Sequence, residues 1–159
     1  MTLAAALLLL TGGTASGESS APESADPLPP PSLVRARIAE SRILGTANCS
    51  PDPQAACIDV LIEARLEILE SVAGVPVPLR TVIRYIYHIP APRGATGWWL
   101  VTQPRPARAY RPAAPLRVTA SRGGELCANR DGLMWFGTLP PDGTPHGDAV
   151  CYPRRRHVR

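Results

Sequence analysis

This chain contains three histidines and four cysteines, the residue types that most often act as acids or bases, metal ligands or disulfide partners. His146 lies between Asp142 and Asp148 in the segment PDGTPHGD, an arrangement that could bind a cation or orient a general base. The same density of Pro, Asp and Gly forms a turn for purely local reasons, and we favour the turn. His88 shares a strand face with Arg84, where contact with solvent or a partner is expected.

No motif in the sequence identifies an enzymatic reaction. G-x-S-x-G, H-E-x-x-H and a glycine-rich phosphate loop are all missing from the sequence. All 17 basic residues are Arg, so Schiff-base chemistry on lysine and P-loop phosphate binding are excluded. We predict a non-enzymatic protein with no catalytic residues and no cofactor. The alternative is an exported hydrolase that uses His146, Asp142 and Asp148.

The N-terminal sequence predicts export. An apolar run over residues 2–10 is followed by small residues, which is typical of a secretory signal, and we assign residues 1–16 to it. The amino terminus of Met1 is the only positive group before the run, so the sequence leaves open whether Met1 is the true start. We predict a secreted or periplasmic protein without a transmembrane segment, because no apolar run reaches the required length.

Export to an oxidising compartment favours disulfides over metal ligands for Cys49, Cys57, Cys127 and Cys151. Sequential pairing, Cys49 with Cys57 and Cys127 with Cys151, closes the shortest loops. Crossed pairing of Cys49 or Cys57 with Cys127 is the alternative. Because no C-x-x-C or closely spaced histidine pair occurs, we predict no metal site.

Composition divides the exported chain into three parts. Residues 17–32 are rich in Ser, Pro and acidic residues, which predicts a disordered linker. Residues 33–153 are expected to form a single β-rich domain, and residues 154–159 a basic tail. Residues 17–73 contain nine acidic residues and four arginines, whereas residues 74–159 contain four acidic residues and thirteen arginines. Either the two halves neutralise each other or the second half presents a surface to anionic partners.

Four longer segments have strand character. Alternation of apolar and charged residues predicts strands over 33–44 and 79–89, and a third covers 97–103, with a short helix capped by Ser32 as the alternative for the first. Residues 58–72 fit a strand, with Val60, Ile62 and Leu66 on one face. They also fit a long helix over 53–73 that ends before Gly74, although Glu63 and Glu67 would repel each other there.

The second half contains shorter elements. Residues 104–115 read as an extended Pro-Arg loop and residues 139–147 as a Pro-Gly-Asp loop. Short strands are predicted over 116–120, 125–128, 133–136 and 149–152, with turns at 122–124 and 130–132.

Several short strands separated by Gly and Pro indicate an all-β fold, a small barrel or sandwich with disulfides, and we predict the barrel. The alternative is an α+β fold with the long helix at 53–73. A Cys-bearing segment, DVLIEA at 59–64, WWLV at 98–101 and ELC at 125–127 follow in an order that resembles netrin-like and tissue-inhibitor-of-metalloproteinase-like OB domains. The resemblance implies an OB barrel. Inhibitors of that family present an N-terminal Cys to zinc, whereas Cys49 lies well inside this chain, so their inhibitory site is not carried over.

Aromatic and arginine residues of the second half form the candidate binding site. Aromatic faces together with guanidinium groups suit anionic polymers or glycans. The alternative is that the tryptophans pack in the core, and alternation along a strand allows only one of the pair to do so. The predicted ligand-binding residues are Trp98, Trp99, Arg105, Arg108, Tyr110 and Arg111.

These observations predict an exported binding module, an inhibitor or an envelope-associated protein. Its expected partner is an anionic polymer, a glycan or another protein, and nucleic acid is not expected. A structural subunit of an envelope assembly is the remaining alternative.

Overall fold

The computed structural model describes residues 29–47, 59–104, 108–121 and 123–154, which form a mostly β structure. Five strands form a closed ring in the order β1-β2-β3-β5-β4, and four form a second sheet in the order β6-β7-β9-β8. The ring strands are β1 (Ser32–Ala47), β2 (Asp59–Ala73), β3 (Arg80–Tyr87), β4 (Thr96–Val101) and β5 (Arg111–Leu116). The second sheet contains β6 (Val118–Ala120), β7 (Leu126–Asn129), β8 (Thr144–His146) and β9 (Ala149–Tyr152). A short helix α1 (Arg130–Leu133) and a 3-10 turn (Met134–Phe136) follow β7.

Strand β2 confirms the strand prediction, and the helix alternative is wrong over residues 59–73. Ile62, Ala64 and Leu66 are buried inside the ring. Glu63 and Glu67 point outward and form ion pairs with arginines of the neighbouring strand β1. The two carboxylates that would repel each other along a helix are therefore neutralised across a sheet, which favours the strand. Residues 53–58 of the alternative helix lie outside the described residues.

Strand β1 is long enough to pair with two neighbours. It runs antiparallel to β2 along its length, and its first part, from Ser32 to Arg37, also pairs with β4. Four register shifts interrupt the β1–β2 ladder. Because bulges of this kind bend a strand and increase its twist, they allow β1 to close the ring.

Two hydrophobic clusters lie on the two faces of the ring wall. Val34, Trp99 and Val101 point into the ring and join its interior cluster. Leu33 and Leu100, one position away, point outward into a second cluster. The second sheet supplies Leu126, Ala128, Val150 and Tyr152 to that cluster, and helix α1 adds Leu133. The start of β1 and the end of β4 are therefore apolar on both faces because each face covers a different core.

Several local predictions for the second half are wrong. Part of the predicted loop 104–115 is strand β5, which contains two prolines and pairs with β4 over four positions. The predicted strand 133–136 and the predicted turn 130–132 are instead helical, because Asn129 Oδ1 accepts a 2.8 Å hydrogen bond from the Asp131 N–H and caps the turn. The predicted loop 139–147 contains strand β8.

A disulfide joins Cys127 on β7 to Cys151 on β9, as the sequential pairing predicted. The two residues occupy directly opposed positions in the β7–β9 ladder, between the Leu126–Tyr152 and Ala128–Val150 pairs. The crosslink therefore ties together the two central strands of the second sheet. Cys49 and Cys57 lie outside the described residues.

Candidate functional site

A groove opens in the ring wall between β3 and β5. The two strands run parallel and pair at only two positions, Ile83 with Arg111 and Arg84 with Pro112. The Pro112 carbonyl accepts a hydrogen bond from Thr102 N–H on the β4 side. Alternation then turns the backbone of Pro115 toward β3, and proline has no N–H to donate there. The pairing, which ends at Pro112, therefore does not resume at Pro115, and the strands separate.

The groove has a volume of about 340 Å³, and its wall combines aromatic rings with arginine. This volume lies at the small end of the range found for small-molecule sites. Among the described residues, its lining includes no Asp or Glu. Its chemically distinctive members are Arg84, Tyr87, Arg108, Tyr110, Trp135 and Phe136.

Arg84 forms one side of the groove and is held from two directions. Its guanidinium carbon lies 4.0 Å from the centre of the Tyr110 ring, which is a cation–π distance. Its Nε donates a 2.9 Å hydrogen bond to Glu63 Oε2. Glu63 also accepts from Arg42, and these two arginines lower the pKa of the Glu63 carboxyl below its ordinary value. One carboxylate shared by two arginines leaves a net positive charge beside the groove.

Arg108 lies at the exposed mouth of the groove. Its Nη1 donates a 2.9 Å hydrogen bond to the Tyr110 hydroxyl. Among the described residues no carboxylate forms an ion pair with it. Its charge is therefore available to an anionic group.

Arg111 was predicted to join the same site, but it does not line the groove. Its side chain is hydrogen-bonded to the residues that follow β4. Its Nη1 donates to Gln103 Oε1 at 2.8 Å and to the Thr102 carbonyl at 3.4 Å. Burial lowers the pKa of Arg111. Arg105, also predicted, lies outside the described residues.

The tryptophan pair is split between two environments, as the strand alternation predicted. Trp99 is 4% exposed and meets the Tyr85 ring edge-to-face, with the ring centres 5.0 Å apart. Its indole nitrogen has no hydrogen-bond partner in the described part of the chain. Burial raises the pKa of Tyr85. Trp98 is half-buried against the second hydrophobic cluster.

Both tryptophans line a second, apolar cavity of about 290 Å³ next to the groove. Tyr85, Tyr87 and Pro115 contribute to both concavities, so they form the wall between them. Four of the six predicted site residues thus line two adjacent hollows: Arg108 and Tyr110 line the groove, and Trp98 and Trp99 line the cavity.

Four of the distinctive groove residues were missing from the sequence-based site: Arg84, Tyr87, Trp135 and Phe136. Arg84 and Tyr87 lie on a strand that was predicted, and the outward direction of Arg84 was the available signal. Trp135, which is 67% exposed, lies on the 3-10 turn that was mistaken for a strand. Its position beside β3 depends on how the second sheet packs on the ring, which no local pattern encodes.

The two histidines in the described ranges, His88 and His146, occupy surface positions. His88 Nδ1 lies 2.8 Å from Asp59 Oδ1. His146 is exposed at the end of β8, and Asp148 lies in the turn that follows, where its carbonyl accepts from Arg130 N–H. His146 also lies close to Glu125 and to the Cys151 sulfur, a neighbourhood that the sequence did not predict.

The chain matches no protein-family model, no curated protein and no solved structure. None of the helices in the described ranges is long and apolar enough to cross a membrane.

Proposed function

We propose that this protein is an exported, non-enzymatic binding module that holds an acidic glycan in the groove between β3 and β5. The observation that carries the proposal is the lining of this groove, which joins exposed aromatic rings to two arginines without a carboxylate among the described residues. The apolar N-terminal run and the Cys127–Cys151 disulfide support an extracytoplasmic location.

The chemistry of the groove suits a charged sugar. Trp135 and Tyr87 offer broad apolar faces on which the C–H face of a sugar ring can pack. Arg108 offers a planar set of N–H donors that matches a carboxylate or sulfate group. A neutral apolar ligand would leave the charge of Arg108 unused, and a simple anion would leave the aromatic surface unused. An acidic glycan uses both.

An OB-like architecture for the ring fits the same proposal. The strand order β1-β2-β3-β5-β4 with a parallel β3–β5 contact supports a five-stranded Greek-key barrel of this type. Folds of this class bind oligosaccharides and oligonucleotides on the face formed by strands 2 and 3 and the adjacent loops. The groove contains residues of β2, β3 and the β4–β5 connection. Whether the module acts as an inhibitor or as part of the cell envelope depends on the glycan it holds.

Alanine substitution in the groove tests the proposal. We expect Arg108→Ala and Trp135→Ala each to weaken binding of a uronic-acid oligosaccharide about tenfold, the equivalent of about 1.4 kcal/mol. Isothermal titration calorimetry at low ionic strength measures the affinity. Added salt should weaken the wild-type complex and have less effect on Arg108→Ala, because the screened charge is then missing.

Two matched controls separate the groove from the rest of the surface. Arg93→Ala removes the same charge at a different hollow, and Leu79→Ala removes an exposed apolar side chain from a loop end. Both should bind like the wild type. If Arg93→Ala and Arg108→Ala weakened glycan binding equally, the interaction would depend only on the net charge of the protein, and the proposed site would be wrong.

A further inference from the structure

Four potential zinc ligands from three segments meet on one face of the second sheet. Glu125 precedes β7, His146 ends β8, and Cys127 and Cys151 lie on β7 and β9. One ligand atom from each of Glu125, His146 and Cys151 lies within 4.8 Å of the other two. The Cys127 sulfur is bonded directly to that of Cys151 and so adjoins this group of three, without being one of the atoms that lie within 4.8 Å of one another.

The disulfide keeps this cluster from being a metal site. Zinc binds thiolate sulfur, and both sulfurs are consumed by the bond between them. Glu125 and His146 alone supply two ligands, and a structural zinc site requires four.

We infer that reduction of the Cys127–Cys151 disulfide creates a zinc site formed by both cysteines, His146 and Glu125. A dithiol reductant transfers two electrons and two protons to the disulfide, the S–S bond breaks, and the reductant is itself oxidised to a disulfide. Zn²⁺ then displaces both thiol protons and is bound by two thiolates, a neutral imidazole and a carboxylate.

The distances fit this assignment. Ligand atoms of a tetrahedral zinc ion are separated by about 3.4–3.8 Å, given Zn–N and Zn–S bonds of about 2.1 and 2.3 Å. The ligand atoms of Glu125, His146 and Cys151, which now lie within 4.8 Å of one another, therefore require side-chain adjustments of about 1 Å. The Cys127 and Cys151 sulfurs must in addition move apart once the bond between them breaks. The opposed positions of Cys127 and Cys151 in the β7–β9 ladder keep the two sulfurs on the same face after the bond breaks.

The site is also accessible. Cys127, His146 and Asp148 line a surface hollow of about 400 Å³, through which a reductant and a metal ion can reach the sulfur. Arg117 lines the same hollow. Its positive charge would offset the net negative charge of zinc with two thiolates and a carboxylate.

Metal titration of the oxidised and reduced protein tests the inference. In the full chain carrying Cys49→Ser and Cys57→Ser, Cys127 and Cys151 are the only remaining cysteines. This variant is reduced with dithiothreitol, desalted under nitrogen and titrated with Zn²⁺ against a chromophoric chelator. We expect one zinc ion per reduced chain and none per oxidised chain. Co²⁺ in place of Zn²⁺ should give the thiolate charge-transfer band of a tetrahedral site.

Variants of the two non-sulfur ligands complete the test. His146→Ala and Glu125→Gln should each lower the zinc affinity of the reduced chain at least tenfold, and His88→Ala should leave it unchanged. Circular dichroism follows the sheet: if reduction unfolds it, zinc should restore the β signal. No zinc uptake after reduction, wild-type affinity in His146→Ala, or an unfolded reduced chain that zinc does not refold would each overturn the inference.

Discussion

Among single residues, Glu63 links the ring to the groove. Its carboxylate binds Arg42 on β1 at 2.6 Å and Arg84 on β3 at 2.9 Å, so one side chain on β2 connects three neighbouring strands. The contact also fixes Arg84 against Tyr110. The carboxylate therefore contributes both to stability and to the shape of the proposed binding surface.

Glu63→Gln should lower the free energy of unfolding by about 1 kcal/mol at neutral pH, a modest value because Arg42 is largely exposed. The two arginines lower the pKa of Glu63 in the folded protein. The stabilisation is therefore complete above the ordinary glutamate range and is lost as the pH falls through the lowered pKa. Urea unfolding of both proteins from neutral to acidic pH measures the difference, which should vanish in acid.

Glu67→Gln is the matched control, because that carboxylate pairs with a single arginine, Arg37. It should cost less at neutral pH than Glu63→Gln. A stability difference between wild type and Glu63→Gln that persisted unchanged in acid would show that charge does not cause it.

At the scale of elements, the end of β2 and the start of β1 depend on a close approach at Gly74. Ser32 Oγ donates a 2.7 Å hydrogen bond to the Val75 carbonyl, which draws the two segments together. A Cβ added at Gly74 would lie 2.7 Å from Ser32 Cα, and Gly74 also has a φ of +86°. Both the backbone conformation and the available space therefore require glycine there.

Gly74→Ala and Gly94→Ala form a matched pair that separates these two causes. Gly94 has a nearly identical φ of +83°, but an added Cβ would meet no atom within 4 Å. Gly94→Ala should therefore cost only the backbone term, about 1 kcal/mol. Gly74→Ala should cost about 1–3 kcal/mol more, because neighbouring backbone must move. Equilibrium denaturation measures both, and equal costs would contradict the close packing of Gly74 against Ser32.

For the whole molecule, the second hydrophobic cluster joins the ring to the second sheet. Leu33 and Leu100 from the ring pack with Val150 and Tyr152 from the second sheet, and all four are almost completely buried. Tyr152 donates a hydrogen bond to the Pro140 carbonyl at 3.3 Å, and burial raises its pKa to about 12. The two sheets therefore share a core.

Leu100→Ala should destabilise the protein by about 2–5 kcal/mol, because it opens a cavity in that shared core. We expect a single transition in which tryptophan fluorescence and far-UV circular dichroism change together. Leu79→Ala, at a residue that is 77% exposed, should change stability by about 0.5 kcal/mol or less. Two separate transitions in Leu100→Ala would show that the ring folds without the second sheet.

Local alternation was sufficient to predict most of the ring. The strands predicted over 33–44 and 79–89 overlap β1 and β3, because their inward and outward residues alternate. The strand predicted over 97–103 overlaps β4, whose residues 98–101 are apolar on both faces. The apolar residues of 59–73 fitted both the repeat of a strand and that of a helix. The ion pairs of Glu63 and Glu67 with arginines of β1 explain why the strand is favoured. Strand β5 was missed because its two prolines are typical of a loop, yet pairing with β4 stabilises this segment as a strand.

The sequence by itself determined the mostly β character and the opposite faces of Trp98 and Trp99, because both depend on the period of a strand. It favoured the Cys127–Cys151 pairing but left crossed pairing with Cys49 or Cys57 open, and the opposed positions of the two residues on β7 and β9 decided between them. Only the tertiary structure decided where β3 and β5 separate and which side chains line the resulting groove. Only it placed Glu125 and His146 beside the disulfide. Strand register and sheet-on-sheet packing bring these groups together, and both are set by contacts between residues distant in the chain.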